Sequence, residues 1–278
     1  MDEKIKILNQ LRKKARMAYL YLAFGLLAVL VTLLLFTPSF GAGVAVLVLG
    51  MYWFFQRKDI QDFRNQYREM ITLHCIGKEM QAERYVAKNI LSMEQVVHDA
   101  CIPIVDSKGI VRSGVTGIYH GNPVCLTDIS YTYILDKKNV LNISGCYVRV
   151  QWKKKAEPII VLCADSVMPE VVMDRYYAEQ SLKKYNFQHV PESVREHWYC
   201  YASEDPGDRF SSEFCESLTR LYRKSEGRIA IKMDGSNLYA FVRLRYLGVC
   251  EPEYKYPISK EEFEISLFPE LKDILELG

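Results

Sequence analysis

The chain has little net charge, no close cysteine pairs and no glycine-rich phosphate loop, and each shortage removes a class of function. Lys and Arg total 36 against 34 Asp and Glu, a formal charge of +2. Without a basic excess, no general attraction to nucleic acid is expected. The eight cysteines stand at 75, 101, 125, 146, 163, 200, 215 and 250, and the tightest gap is Cys200 to Cys215. A secreted disulfide scaffold would crowd them in a pattern. Cys163 instead ends the run Ile159-Ile160-Val161-Leu162, where it reads as a small buried hydrophobe in a reducing compartment.

Catalytic and cofactor signatures are equally sparse. Gly114, Gly117 and Gly121 are spaced like part of a phosphate loop, but strand residues flank them and no helix start follows. There is no nucleophile elbow and no His-Glu-x-x-His helix. His197 and Cys200 form half a metal pair, with His189 upstream and Cys215 downstream. Structural zinc sites join two such pairs, and on a strand His197 and Cys200 would point to opposite faces. No metal and no cofactor is expected.

Charge is also missing from two long stretches, and this is the most informative feature. Ala18 to Phe36 and Phe40 to Phe55 carry no charge, and Thr37-Pro38-Ser39 divides them. About 20 apolar residues cross a bilayer, so the pair reads as a membrane hairpin. A cleaved signal peptide has a shorter core and a small-residue cleavage site, unlike Phe36-Thr37-Pro38. Lys4, Lys6, Arg12, Lys13, Lys14 and Arg16 precede the first run, and Arg57, Lys58, Arg64 and Arg68 follow the second. Basic flanks stay cytoplasmic, which predicts a multi-pass protein of the cell membrane with both termini in the cytosol.

The rest divides by periodicity. Residues 1–16 read as a basic juxtamembrane helix, 17–56 as the hairpin, 57–105 as a helical connector and 106–278 as a cytosolic α+β domain, with subdomains 106–165 and 195–278. Phe63, Tyr67, Met70 and Ile71 stripe a helix from Asp59 to about Glu79, and Ser92-Met93-Glu94-Gln95 has the form of a capping box. Ile110 to Tyr119, Val124 to Leu135, Val140 to Trp152 and Glu157 to Cys163 read as antiparallel strands. Gly121-Asn122-Pro123, Asp136-Lys137-Lys138-Asn139 and Lys153-Lys154-Lys155 supply their turns. His197 to Ala202 reads as a strand. A helix striped by Phe210, Phe214, Leu218 and Leu221 follows, closed by Gly227. Arg228 to Met233 and Leu238 to Leu244 flank the turn Asp234-Gly235-Ser236-Asn237, and Phe263, Leu267, Leu271 and Ile274 repeat a helical spacing in the tail.

Tyr201-Ala202-Ser203-Glu204-Asp205, the helix from Phe214 to Arg223, Gly227-Arg228-Ile229-Ala230-Ile231, and Asn237 to Val242 follow one another in a recognisable order. The tail from Glu251-Pro252 to Leu271-Lys272-Asp273-Ile274-Leu275-Glu276-Leu277, and Gly117-Ile118-Tyr119-His120-Gly121, continue it. On these residues the chain resembles an uncharacterised bacterial family of membrane proteins catalogued as domain of unknown function 3137. The resemblance implies a two-span N-terminal anchor followed by a cytosolic α+β domain, and it implies no activity.

Two groups remain as candidate sites. His98, Asp99 and Cys101 are the tightest grouping of thiol, imidazole and carboxylate, the parts of a cysteine-nucleophile hydrolase. Trp152 with Lys153, Lys154 and Lys155 joins an aromatic ring to three cations at a turn, chemistry suited to anionic lipid headgroups. The favoured function is non-enzymatic: a binding or interaction module tethered to the lipid bilayer, with anionic lipid or another membrane protein as its partner. A membrane-tethered hydrolase using a cysteine or a metal is the alternative.

Overall fold

The structure is a computed structural model, described here for all residues except 36–37, 53–56, 89, 100, 105–108, 135–139, 187–189, 207–208, 248–251 and 278, and without the side chains of 38–40, 51, 153–157 and 236. It divides into two compact units, Met1–Ile71 with Val249–Ile265, and Thr72–Gly248 with Ser266–Gly278.

The first unit begins with α1, Asp2–Leu35, a single helix about 51 Å long at 1.5 Å per residue. The basic stretch 1–16 is therefore the opening of this helix and not a separate one. Leu8, Arg12, Ala15 and Ala18 are buried on one side of it. The chain segment 252–265 provides the cover. Asn9 Nδ2 donates to the Ile258 carbonyl and its Oδ1 accepts from the Ile258 N–H, both at 3.0 Å. Arg12 donates to the carbonyls of Tyr254 and Lys255 at 3.3 and 3.2 Å. The Tyr254 ring meets Tyr19 and, from α3 (Arg57–Ile76), Phe63, with centroids 4.8 and 5.3 Å apart. The stripe expected on α3 is present, with Phe63, Tyr67 and Ile71 buried. Beyond Ala18 the character of α1 changes: Phe24, Leu27, Leu30, Leu34 and Leu35 are exposed, Leu34 at 77%. α2, Pro38–Met51, lies against this apolar half. A Cβ at Gly25 would come within 2.6 Å of Val48 Cγ1, so the helices meet where one has no side chain.

The second unit is α+β, built on an antiparallel sheet. Its extended segments are β1 (Gln81–Val86), β2 (Ile110–Tyr119), β3 (Asn122–Ile134), β4 (Val140–Ala164), β5 (Lys183–Tyr185), β6 (Trp198–Ala202) and β7 (Ile229–Arg243). Two of them double back. A straight fifteen-residue strand would hold its ends about 50 Å apart. Yet the Arg243 N–H donates to the carbonyl of Arg228, just before β7, at 2.8 Å. β7 is therefore the hairpin that Asp234-Gly235-Ser236-Asn237 predicts, and Gly235 takes φ +55°, the left-handed backbone a tight turn requires. β4 runs up one arm and down the other: Gly145 to Gln151 pair with Arg243 to Asn237, Ala156 with Gly235, and Ile160 to Cys163 with Met233 to Ala230. It reverses where Lys153-Lys154-Lys155 stand, around the β7 tip. Nine arms thus lie side by side, with β7 central, β3 beside the first arm of β4, and β6 and then β5 beside its second arm. Stretches 106–165 and 195–278 share this one sheet.

Helices cover both faces, which explains why Ile159 to Ala164 of β4 and Leu238 to Val242 of β7 are apolar without alternation. On the first face Cys146, Val148, Val150, Ile160 and Leu162 of β4 alternate inward. There they meet Leu218 and Leu221 of α7 (Ser212–Ser225), Val194 of α6 (Glu192–Arg195), and Leu271 and Ile274 of α8 (Leu271–Leu275). On the second face Tyr147, Val161, Cys163, Tyr239 and Phe241 meet Val96 of α4 (Met93–Asp99) and Met173 and Tyr177 of α5 (Glu170–Glu179). The capping box is formed: Ser92 N–H donates to Gln95 Oε1 at 2.8 Å and Gln95 N–H to Ser92 Oγ at 3.1 Å. Ser211 Oγ caps α7 by accepting from the Phe214 N–H at 3.2 Å. The left-handed close of α7 takes two residues, Glu226 at φ +55° as well as the expected Gly227 at +70°.

Candidate functional site

The expected thiol–imidazole couple is not assembled. α4 ends at Asp99, so Cys101 lies beyond the last helical turn and sinks fully into the second core. His98 points the other way, its side chain 89% exposed, with Nδ1 3.2 Å from Asp99 Oδ1. The Cys101 carbonyl accepts from the Tyr177 hydroxyl at 2.7 Å. Burial pushes the Cys101 thiol well above its ordinary range, and the neighbouring Cys163 adds to the effect. A nucleophilic cysteine needs the opposite, a lowered thiol beside a base. Asp99 instead serves an ion pair, its Oδ2 3.3 Å from Arg149 Nη1.

That pair opens a polar array that sequence reasoning missed. Arg149 of β4 stands opposite Tyr239 of β7, with its guanidinium carbon 5.9 Å from the ring centroid. Lys232 Nζ lies 5.6 Å from the same centroid and 3.3 Å from Asp234 Oδ2. Tyr147 stacks on Tyr239 at 6.4 Å, and its own hydroxyl is buried without a hydrogen-bond partner. Burial first, then the Asp99 carboxylate, raises the Tyr239 hydroxyl to about 12. The two cations over one ring are each matched by a carboxylate, so the array is close to neutral. Its partners lie on three separate elements, and no local spacing announces it.

Trp152 sits at the end of the first β4 arm, half-buried and packed on the first core. The side chains of Lys153, Lys154 and Lys155 lie outside the described residues, and their backbone forms the β4 reversal.

Of the half metal pair, Cys200 is fully buried on the first face and His197 is half-exposed. His189 lies outside the described residues. His197 Nδ1 stands 3.3 Å from Asp165 Oδ2, and its ring stacks on Tyr222 with centroids 4.3 Å apart. Tyr222 and Ser166 hydroxyls both donate to Asp165, at 3.1 and 2.9 Å. Asp165 thus fixes an imidazole and two hydroxyls, but its serine points at the carboxylate and not at the histidine. The arrangement orients rings and ties α7 to the second β4 arm; it does not arm a nucleophile. Among the described residues no group of three or more His, Cys, Asp or Glu side chains is placed to hold a metal ion.

The first unit holds a cleft of about 480 Å³ lined by Tyr67, Glu253, Tyr256, Pro257, Ser259, Glu261, Glu262 and Ile265. Glu262 is already engaged, accepting from the Tyr67 hydroxyl at 2.6 Å and the Ser259 N–H at 3.2 Å.

α1 is the one helix, among the described residues, long and apolar enough to cross a membrane. Comparison with known proteins adds little to this geometry. No protein-family model matches the chain, and no curated protein does. Among solved structures it is similar to the crystal structure of the mycobacterial trehalose monomycolate transport factor A, TtfA, with a TM-score of 0.39 and 7% identity over 77% of this chain and 95% of that one.

Proposed function

We propose that this protein is a membrane-anchored binding module: α1 and α2 form a two-span hairpin, both termini are cytoplasmic, and the sheet unit works at the inner membrane surface without catalysis. One observation carries the reading. The apolar half of α1 turns Phe24, Leu27, Leu30, Leu34 and Leu35 outward, and α2 does the same with Val46, Leu47 and Leu49. Large side chains exposed all round a helix pair are costly in water and at no disadvantage in lipid. α2 as described is about 21 Å long, so its crossing also requires residues that follow Met51. This is the arrangement that the resemblance to the uncharacterised bacterial two-span family implies. Confinement to one membrane raises the effective concentration of any partner that shares it, either anionic lipid reached by Trp152 and Lys153 to Lys155 or another membrane protein.

The topology is tested with paired reporters, one inserted at Ser39 and one fused behind Gly278. The reading predicts that the reporter at Ser39 is active only outside the cytosol and the C-terminal one only inside. A C-terminal reporter active outside the cytosol would overturn it.

A further inference from the structure

The cleft of the first unit, about 480 Å³, has the volume of a small-molecule site and a lining of two chemistries. Its apolar walls are Tyr67 of α3 with Tyr256, Pro257 and Ile265 of the segment 252–265, so it lies wholly within the first unit. Tyr256 and Ile265 stay 57% and 45% exposed, so two of its large side chains meet solvent. Its charge has one sign. Glu253, Glu261 and Glu262 reach it, and no Lys, Arg or His is among its lining residues. The three carboxylates differ in what they already hold. Glu262 is fixed by the Tyr67 hydroxyl and the Ser259 N–H. The carboxylates of Glu253 and Glu261 are exposed and take neither a hydrogen bond nor an ion pair from any described residue. The nearby lysines have other partners: Lys260 Nζ lies 3.3 Å from Asp2 Oδ1, and Lys255 Nζ 5.1 Å from the Tyr256 ring centroid. The second contact shows that ring already drawing a cation.

Charge and shape together select the occupant. An anion is repelled by three carboxylates. Among the described residues no three His, Cys, Asp or Glu side chains are placed to hold a metal ion, so the carboxylates do not converge on one point. Carboxylate oxygens without partners suit N–H donors, while the two phenol rings and Ile265 suit carbon. We propose that this cleft binds a small primary ammonium ion carrying an apolar group. Its N–H donors meet Glu253 and Glu261, and its carbon body lies against Tyr67, Tyr256 and Ile265. Exposed charge pairs are weak alone, and burial of the apolar group against the wall adds what they lack. The same ammonium chemistry belongs to a free amine and to a lysine side chain of another protein, and the experiment separates the two.

The test uses the full chain in an uncharged detergent at low salt, with benzylamine and its neutral counterpart benzyl alcohol as probes. Binding is followed by saturation-transfer NMR, and detergent without protein supplies the background. Benzylamine is expected to bind roughly fivefold more tightly than benzyl alcohol and to weaken as salt is added. Glu253→Gln with Glu261→Gln should weaken benzylamine roughly fivefold and leave benzyl alcohol unchanged, which also shows that the variant is folded. Tyr256→Ala should weaken both probes. Glu3→Gln with Asp62→Asn removes two exposed carboxylates that do not line the cleft and should change neither. Equal binding of the two probes overturns the proposal, as does benzylamine binding that the Glu253 and Glu261 changes leave intact. An equal loss from the Glu3 and Asp62 changes would mean a general field and no site, and overturns it too. Competition between benzylamine and an acetyl-Gly-Lys-Gly-amide peptide then identifies the source: displacement points to a lysine of a partner protein, and no displacement to a free amine, each supporting the ammonium site.

Discussion

Arg245 and Glu270 show how much of this fold is set by pairs that lie far from one another in sequence or sit alone in the core. Glu270 is fully buried, and Arg245 grips it with two donors at 3.1 and 2.7 Å. Replacing Arg245 by methionine leaves a buried carboxylate without its cation. We expect a loss of about 3 kcal/mol, read as a lower denaturation midpoint at unchanged slope, while Lys260→Met on an exposed pair costs under about 1 kcal/mol. The thiols make a second prediction. Burial raises Cys125 from 9.0 to about 11, and Cys163 and Cys200 to about 12. The folded chain holds these protons to higher pH than the unfolded chain does. Their contribution is therefore complete below pH 9 and disappears as pH rises from 9 through 12. Melting temperature should be insensitive to these groups below pH 9 and fall above it, and alkylation of these thiols should accompany unfolding and not precede it. The cysteine pattern let the sequence predict buried reduced thiols. The His98–Cys101 hypothesis failed at this scale for a local reason: spacing of three juxtaposes side chains only while a helix lasts, and α4 stops at Asp99.

At the scale of elements, strong periodicity was legible and weak periodicity was not. The Ser92 capping box and the β7 hairpin are where their residues predict, and so is the α7 stripe from Phe214 onward, Phe210 lying ahead of the Ser211 cap. α5 was missed because it is only ten residues long and the exposed Val171 blurs the face that Val172, Met173 and Tyr177 bury. β1 was missed because it is a sheet edge bearing Glu83 and Arg84, the charge pattern edges use to avoid pairing. Two substitutions check the local assignments. Ser211→Ala removes the acceptor for the Phe214 N–H and should cost about 1 kcal/mol. Gly235→Ala meets no atom within 4 Å but must adopt φ +55°, and should cost about 1–2 kcal/mol from backbone strain alone. Equal stability of the Gly235→Ala variant and the parent by urea denaturation would mean that β7 does not turn there.

For the whole molecule, the decisive property is which solvent surrounds α1. Its first half is held by Asn9 and Arg12 against the chain segment 252–265, while its second half carries no charge and exposes mainly large apolar side chains. Composition alone made that contrast visible. The buttress was not visible, because it joins residues nearly the whole chain apart. The most direct test is extraction of the full-length chain from membranes with alkaline carbonate, followed by ultracentrifugation. The account predicts that the protein stays in the pellet and is released only by detergent, and that Leu27→Arg with Leu30→Arg moves a substantial share into the supernatant. Complete release of the parent chain by carbonate alone would contradict it.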